Sequence, residues 1–173
     1  MNDKSLTERF EFRDIRAEEA SQAVAIEQIC FPPHEACSEQ HMRERIAKVP
    51  ELFLVAVDKE SGKIAGFLNG LATDEHLFRD EFFLDANLNR PDGKNVMLLG
   101  LDVLPEYRGR GLAREIVHQY IMREADKHRQ MLILTCLESK VNMYEKMGFR
   151  DCGISNSSWG NEEWHEMSYM IEE

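Results

Sequence analysis

The sequence lacks any long hydrophobic run, and this absence argues against a membrane-spanning helix. Its apolar stretches are far shorter than the ~20 residues that a helix needs to cross a bilayer. Residues 1–10 are polar and charged, so we expect no signal peptide. The four cysteines show no C-x-x-C spacing, which is the commonest mark of a zinc or redox motif. We therefore expect a cytoplasmic protein with reduced thiols, no metal and no membrane partner.

Positive charge is also scarce. Lysines and arginines number 21 against 32 acidic residues, which gives a formal net charge of -11. Proteins that bind nucleic acid need a basic surface, so this composition argues against that class. An acidic protein steers cationic partners such as amines toward itself, but an acidic surface also simply keeps a protein soluble. Charge alone therefore identifies no substrate.

Length and periodicity predict one domain over residues 1–173, with an α/β (α+β) fold in which helices flank a mixed sheet. No repeat or low-complexity segment interrupts it. The predicted strands are near Phe10–Ile15, Leu52–Val57, Lys63–Leu71, Val96–Leu104, Met131–Cys136, Phe149–Gly153 and Glu163–Ile171. The predicted helices are Ala17–Ile29, Ser38–Val49, one from Leu112 to about Ala125, and Lys140–Met147.

A glycine-bearing basic loop joins a buried strand to a helix. Val96 to Leu104 is the continuous apolar run of a strand buried on both faces, and Pro105 ends it. Gly109 and Gly111 follow, just before the helical pattern begins. The first N–H groups of a helix have no internal partner and carry the positive end of its dipole, so they suit phosphate. We therefore predict an anion site for a pyrophosphate-bearing cofactor. Three arginines add positive charge there: Arg108, Arg110 and Arg114.

Three segments of the chain resemble the GCN5-related N-acetyltransferase (GNAT) superfamily. Arg108 to Ala113 matches its acetyl-CoA pyrophosphate loop, Tyr144 to Phe149 matches its second signature, and Trp164 to Met167 is similar to its last strand. The resemblance covers nearly the whole chain. It implies a mostly antiparallel sheet whose strands near residues 101 and 133 splay apart, so that the pantetheine arm lies between them.

The same resemblance implies acetyl-CoA as the co-substrate. It supports a role for the backbone N–H groups of Leu101–Val103 in stabilising the tetrahedral oxyanion. The residues expected to bind the cofactor are Leu101, Asp102, Val103, Arg108, Gly109, Arg110, Gly111, Leu112 and Ala113.

A looser resemblance points to the arylalkylamine (serotonin-type) N-acetyltransferase branch. Phe31–Glu35, Pro50–Leu52 and Arg90–Gly93 carry it, and it implies a small amine as acceptor. The serotonin enzymes use two histidines on the central strand as bases. Met97 and Leu99 align with those histidines and neither accepts a proton, so this base arrangement is missing.

Tyr144 stands at the position of the family's tyrosine acid, so the resemblance implies that it serves the departing thiolate. A phenol has a reference pKa of about 10 and a thiol one of about 8.5, so full proton transfer to the thiolate is uphill by roughly 2 kcal/mol. We therefore expect a hydrogen bond to the thiolate to be the larger role. The alternative is a tyrosine that only packs at a helix end.

Glu35 is the best candidate for the base, because the insect branch of the same family uses a glutamate in a similar segment, acting through water. His34 is its neighbour and has a suitable unperturbed pKa. Both residues also fit a solvated loop. Asp102, on the buried strand, could instead bind the substrate amine or pair with an arginine.

The connection over residues 73–95 is long for a compact domain, and such connections are often functional. Asp74, Glu75 and His76 could line a substrate mouth, or could be solvated. The aromatic residues in 78–83, with Trp159 and Trp164, could wall a pocket for a hydrophobic amine, or could be core.

Three functions remain open from the sequence. The first is transfer of an acetyl group from acetyl-CoA to a small primary amine by direct attack, since no cysteine occupies an evident nucleophile position. The second is acetylation of a protein N-terminus or lysine by the same fold. The third is an acyl-CoA-binding domain without catalysis. Both a monomer and a homodimer fit the sequence.

Overall fold

One seven-stranded sheet lies at the centre of the computed structural model, which describes residues 3–171. The strands run in the order β1-β2-β3-β4-β5-β7-β6, and β4 pairs with β5 in parallel while the other described pairs are antiparallel. The expected mixed, mostly antiparallel sheet is therefore confirmed. The strands are β1 (Phe10–Asp14), β2 (Phe53–Asp58), β3 (Ile64–Thr73), β4 (Asn95–Val103), β5 (Met131–Cys136), β6 (Arg150–Ile154) and β7 (His165–Met170).

Helices cover both faces of this sheet. Alternate residues of β2 show the division, because Leu54 belongs to one buried cluster while Phe53 and Val55 belong to the other. The first cluster includes residues of α1 and α5, and α6 packs at its edge; the second includes residues of α2 and α3. The helices are α1 (Asp3–Arg9), α2 (Ala20–Cys30), α3 (Glu39–Lys48), α4 (Glu81–Leu84), α5 (Leu112–Asp126) and α6 (Glu138–Lys146).

Local signals placed most of these elements correctly. The Ser38 hydroxyl caps α3 by accepting a hydrogen bond from the backbone N–H of His41, and Gly148 follows the end of α6 with φ +100. The sequence reading missed α1, whose Leu6 is buried against the rest of the molecule. Within residues 3–171 no helix combines the length and apolarity that crossing a membrane requires.

Candidate functional site

The parallel strands β4 and β5 separate after a short pairing. Their ladder runs only from Asn95 opposite Met131 to Met97 opposite Ile133. Beyond that point β5 stays paired with β7 and β4 with β3, and a bulge in β4 lies between Leu98 and Gly100. The splay expected from the family resemblance is therefore present, and it leaves backbone groups of β4 facing open space.

A cavity of about 530 Å³ fills the space between the splayed strands. Most of its walls are apolar, and it runs from the glycine-bearing loop past the β4 bulge to the ends of α2 and α6. The wall includes Leu98–Leu101 and Val103 of β4, Leu134–Cys136 of β5, and side chains of α2, α5 and α6.

The loop between β4 and α5 lies at one end of the cavity. Gly109 and Gly111 take left-handed conformations with φ +78 and +84, which side chains with a Cβ rarely adopt. Nothing lies within 4 Å of the position that a Cβ on Gly109 would occupy, so a ligand can approach this backbone. The Tyr107 hydroxyl, just before the loop, donates to Asp58 Oδ2 at 2.6 Å and anchors the segment to β2.

The structure places the predicted cofactor-binding residues in three different surroundings. Arg108, Gly109, Gly111, Leu112 and Ala113 line the cavity, as do Leu101 and Val103. The side chain of Asp102 is fully buried and lies outside that lining. Arg110 instead lines a second groove of about 320 Å³, beside Arg114 and His118 of α5. The second groove adjoins the loop at Gly111.

Tyr144 of α6 and Cys136 of β5 face the same stretch of the cavity. Burial raises the pKa of Tyr144 above its usual value, and Cys136 and Asp102 add to that effect. Burial, with a smaller contribution from Asp151, raises the pKa of the Cys136 thiol to about 12. At neutral pH both groups are therefore protonated.

Glu35 and His34 meet a residue that the sequence reading did not single out. His34 Nε2 lies 3.3 Å from Glu35 Oε2 and 3.2 Å from Glu162 Oε1. The Glu35 side chain is only 9% exposed and lines the cavity, whereas those of His34 and Glu162 are 50% and 42% exposed. Among the described residues, this trio is also the one set with ligand atoms close enough to hold a cation.

Aromatic side chains line the mouth of the cavity near Glu35. Phe83 and Trp159 stack with ring centroids 4.8 Å apart, and Trp159 Nε1 donates to the Glu35 carbonyl at 2.8 Å. Trp164 Nε1 in turn donates to the Trp159 carbonyl at 2.9 Å. The structure thus divides the aromatic residues: Phe83, Trp159 and Trp164 line the cavity, and Phe78 and Phe82 are core.

The acidic start of the long connection lies elsewhere. Asp74 accepts a hydrogen bond from the backbone of Lys94, Glu75 forms an ion pair with Arg79, and His76 contacts Asn95. Asp74, Glu75 and His76 are all outside the cavity lining, so the structure does not bring them to the substrate mouth.

Glu27 of α2 also lines the cavity, and the sequence reading gave it no role. It is 5% exposed, and Asp102 beside it is fully buried. The signal was present in the sequence, since Glu27 follows the helical spacing of the buried Ala20, Ala23 and Val24. An acid at a core position of an amphipathic helix indicates a special environment.

With this geometry in place, the chain can be compared with known proteins. A model of the acetyltransferase (GNAT) family matches residues 16–149. The chain belongs to the GNAT family. No curated protein sequence matches it significantly. The family match does not distinguish branches of the GNAT family, so the arylalkylamine resemblance stays a prediction.

Solved structures share the GNAT fold at low sequence identity. The loading GNATL domain of CurA from Lyngbya majuscula has 15% identity and a TM-score of 0.81, with 94% of this chain and 98% of that one covered. The ribosomal-protein-S18-alanine N-acetyltransferase from Escherichia coli has 18% identity and a TM-score of 0.69, with 95% of each chain covered. A phosphinothricin acetyltransferase from Sinorhizobium meliloti, solved in complex with AcCoA, has 17% identity and a TM-score of 0.68. The match covers 94% of this chain and 89% of that one.

Proposed function

We propose that this GNAT protein transfers the acetyl group of acetyl-CoA to a small primary amine, with an arylalkylamine as the preferred class of acceptor. The observation that carries the proposal is one continuous cavity. It joins the glycine-bearing loop, the splayed edge of β4, Tyr144 and Glu35 along a single wall. These are the groups that acetyl transfer to an amine requires.

The residues of the loop fit the diphosphate of the co-substrate. Gly109 and Gly111 present backbone N–H groups at the start of α5, where the helix dipole favours an anion. Arg108 is directed along the same wall, with its Nε donating to the Val103 carbonyl at 2.9 Å. The pantetheine arm then fits the open edge between β4 and β5.

Backbone N–H groups of β4 are the best candidates to stabilise the oxyanion. The strand carries a bulge next to Gly100, and within residues 3–171 its ladder with β5 ends at Met97. Amide groups in a buried, largely apolar cavity stabilise developing charge far more strongly than they do in water. Leu101 to Val103 belong to the stretch beyond Met97, which stays paired with β3 on its other side.

Glu35, His34 and Glu162 provide a path for a proton from the cavity to solvent. The Glu35 carboxylate accepts a proton from the acceptor ammonium, and His34 Nε2 passes it to the exposed Glu162. The freed nitrogen lone pair forms the C–N bond, and collapse of the adduct breaks the C–S bond with its electron pair on sulfur. The second nitrogen proton balances the thiolate, so the products are amide, CoA thiol and one released proton.

The cysteines of the cavity support direct attack without an acyl-enzyme. Burial raises the pKa of both Cys30 and Cys136, so neither is a thiolate at neutral pH. A thiol that keeps its proton is a weak nucleophile. The acceptor nitrogen is therefore the group that attacks the thioester.

Tyr144→Phe should lower kcat about 10- to 100-fold and leave the affinity for acetyl-CoA nearly unchanged. The raised pKa of Tyr144 makes complete proton transfer to sulfur unfavourable, so its hydroxyl acts by hydrogen bonding to the thiolate, an interaction of about 1.5–3 kcal/mol. Steady-state kinetics and calorimetry measure the two quantities. Tyr169→Phe, outside this cavity, is the matched control. A kcat equal to that of the control would remove Tyr144 from the reaction.

Release of free thiol from acetyl-CoA tests the proposed function. The purified protein is incubated with aryl amines, polyamines, amino acids and peptides in parallel. Fast turnover of aryl amines supports the proposal. Turnover of peptides alone would overturn the acceptor class in favour of a peptide N-acetyltransferase. Tight acetyl-CoA binding with no turnover on any acceptor would indicate a binding domain.

A further inference from the structure

A pair of buried acids lies behind the β4 bulge, separate from Glu35 and His34. Asp102 is fully buried and Glu27 is 5% exposed. Among the described residues, three carboxyl oxygens of this pair have no hydrogen-bond partner. They are both oxygens of Asp102 and Oε1 of Glu27. Two buried carboxylates this close to each other, with three of their four oxygens lacking a donor, would be strongly unfavourable, so a proton has to lie between them.

The two acids converge on Gly100, which is part of the cavity wall. A Cβ at Gly100 would lie 3.3 Å from Asp102 Oδ1, 3.6 Å from Glu27 Oε1 and 3.4 Å from Asn69 Nδ2. Gly100 follows the bulge, and the residues of the bulge line the cavity. Glu27 is therefore a carboxylate placed within a few ångströms of the strand segment expected to hold the acetyl carbonyl.

Charge within the cluster is divided unequally. Burial and the neighbouring Glu27 raise the pKa of Asp102 well above its usual value, so Asp102 keeps the proton and can donate it to Glu27 Oε1. Glu27 Oε2 accepts the backbone N–H of Cys37 at 2.9 Å. With one proton between the two acids, the pair carries one negative charge, and Glu27 is its member that lines the cavity. The buried Arg45 bonds Asn69 and a backbone carbonyl, and so does not neutralise either acid by direct contact.

We propose that Glu27 binds the ammonium group of the acceptor at the deep wall of the cavity, and that Asp102 acts through Glu27 as a positioning residue. The inference rests on the proposed function and divides the work between two carboxylates. Glu27, whose Oε2 accepts the Cys37 N–H and whose Oε1 lies beside Gly100, anchors the nitrogen. Glu35, whose Oε2 lies 3.3 Å from His34 Nε2 and so has a path to solvent, takes the proton.

This arrangement also defines the acceptor class. Two acids, Glu27 and Glu35, line the cavity together with aromatic rings, and its basic side chains are Arg108 and Lys140. Arg108 donates to the backbone beside the anion loop, and Lys140 belongs to α6. A carboxylate next to the acceptor nitrogen would be repelled by Glu27. The acceptor is therefore a cationic primary amine without a neighbouring carboxylate.

Calorimetric titration of the protein–CoA complex tests Glu27 without requiring turnover. The probes are 2-phenylethylamine and L-phenylalanine, which differ by the carboxylate. We expect the amine to bind the wild-type complex at least tenfold more tightly than the amino acid. Glu27→Gln should weaken amine binding about 10- to 100-fold and leave CoA affinity unchanged, whereas Glu51→Gln, an exposed charge removal outside the cavity, should change neither.

Two Asp102 variants separate positioning from simple packing. Asp102→Asn keeps a donor toward Glu27 and should retain amine affinity within about threefold, while Asp102→Leu removes the donor and should reproduce the loss seen in Glu27→Gln. Unchanged amine binding in Glu27→Gln, equal binding of both probes, or no amine binding by the wild-type complex would overturn the inference. Failure to bind CoA would count against the proposed function instead, and titration of amine into the free protein would still test Glu27.

Discussion

Glu35→Gln is expected to lower kcat by about 10²- to 10⁴-fold, the usual contribution of a general base. The glutamine keeps the shape and the polar contacts of the side chain but cannot accept a proton. The affinity for acetyl-CoA should stay within about twofold, because the anion loop is unaffected. Stopped and continuous thiol-release assays measure kcat, and calorimetry measures the affinity.

Neighbouring variants show whether Glu35 works through the proton path. His34→Gln should reduce kcat less than Glu35→Gln, since water can replace an exposed imidazole. The double variant should be no slower than Glu35→Gln alone, because residues that act as one unit are not additive. A kcat for Glu35→Gln within twofold of the wild-type value would assign the base elsewhere.

Gly109→Val is expected to weaken CoA binding by at least tenfold. The residue has φ +78, and a β-branched side chain in that conformation costs about 1–3 kcal/mol. The new side chain would also occupy the open space beside the Gly109 backbone, where we propose that the diphosphate binds. Calorimetric titration with CoA measures the effect.

Gly62→Val is a matched control for Gly109→Val. Gly62 has φ +73 and likewise has nothing within 4 Å of its Cβ position, but it lies in the turn between β2 and β3. Both variants should lose similar thermal stability, and only Gly109→Val should lose CoA affinity. Equal CoA affinity in the two variants would remove the loop from the binding site.

The position of the glycine-bearing loop and the sheet could be predicted because their signals are local, whereas anion binding by that loop stays a prediction. The strand that ends at Pro105 and the two glycines before α5 lie within a few residues of one another. Backbone rules therefore fix their arrangement without knowledge of the rest of the chain. The mixed sheet could be predicted because each strand is marked by its own apolar run, and the order of strands and helices along the chain indicates the fold class.

The contacts made by the acidic residues in and around the cavity could not be predicted, because the residues in each contact come together only when the chain folds. Glu162 approaches His34 across more than a hundred residues, and Glu27 approaches Asp102 across the contact between α2 and β4. Sequence spacing carries no information on such contacts. The aromatic residues show the same limit, because neighbouring positions in 78–83 point either into the core or into the cavity.

The brevity of the parallel ladder has a mechanical consequence. β3 and β4 align through eight residue pairs and β5 and β7 through six, whereas β4 and β5 share three. The short β4–β5 ladder is thus the weakest connection within the sheet. Helices α2 and α3 pack on the part of the sheet to one side of it, and α6 packs on the part to the other side. A thioester bound in the cleft, as proposed, would contact both β4 and β5 and so link the two parts of the sheet. The thioester-bound protein should therefore resist bending at the β4–β5 ladder more than the free protein does.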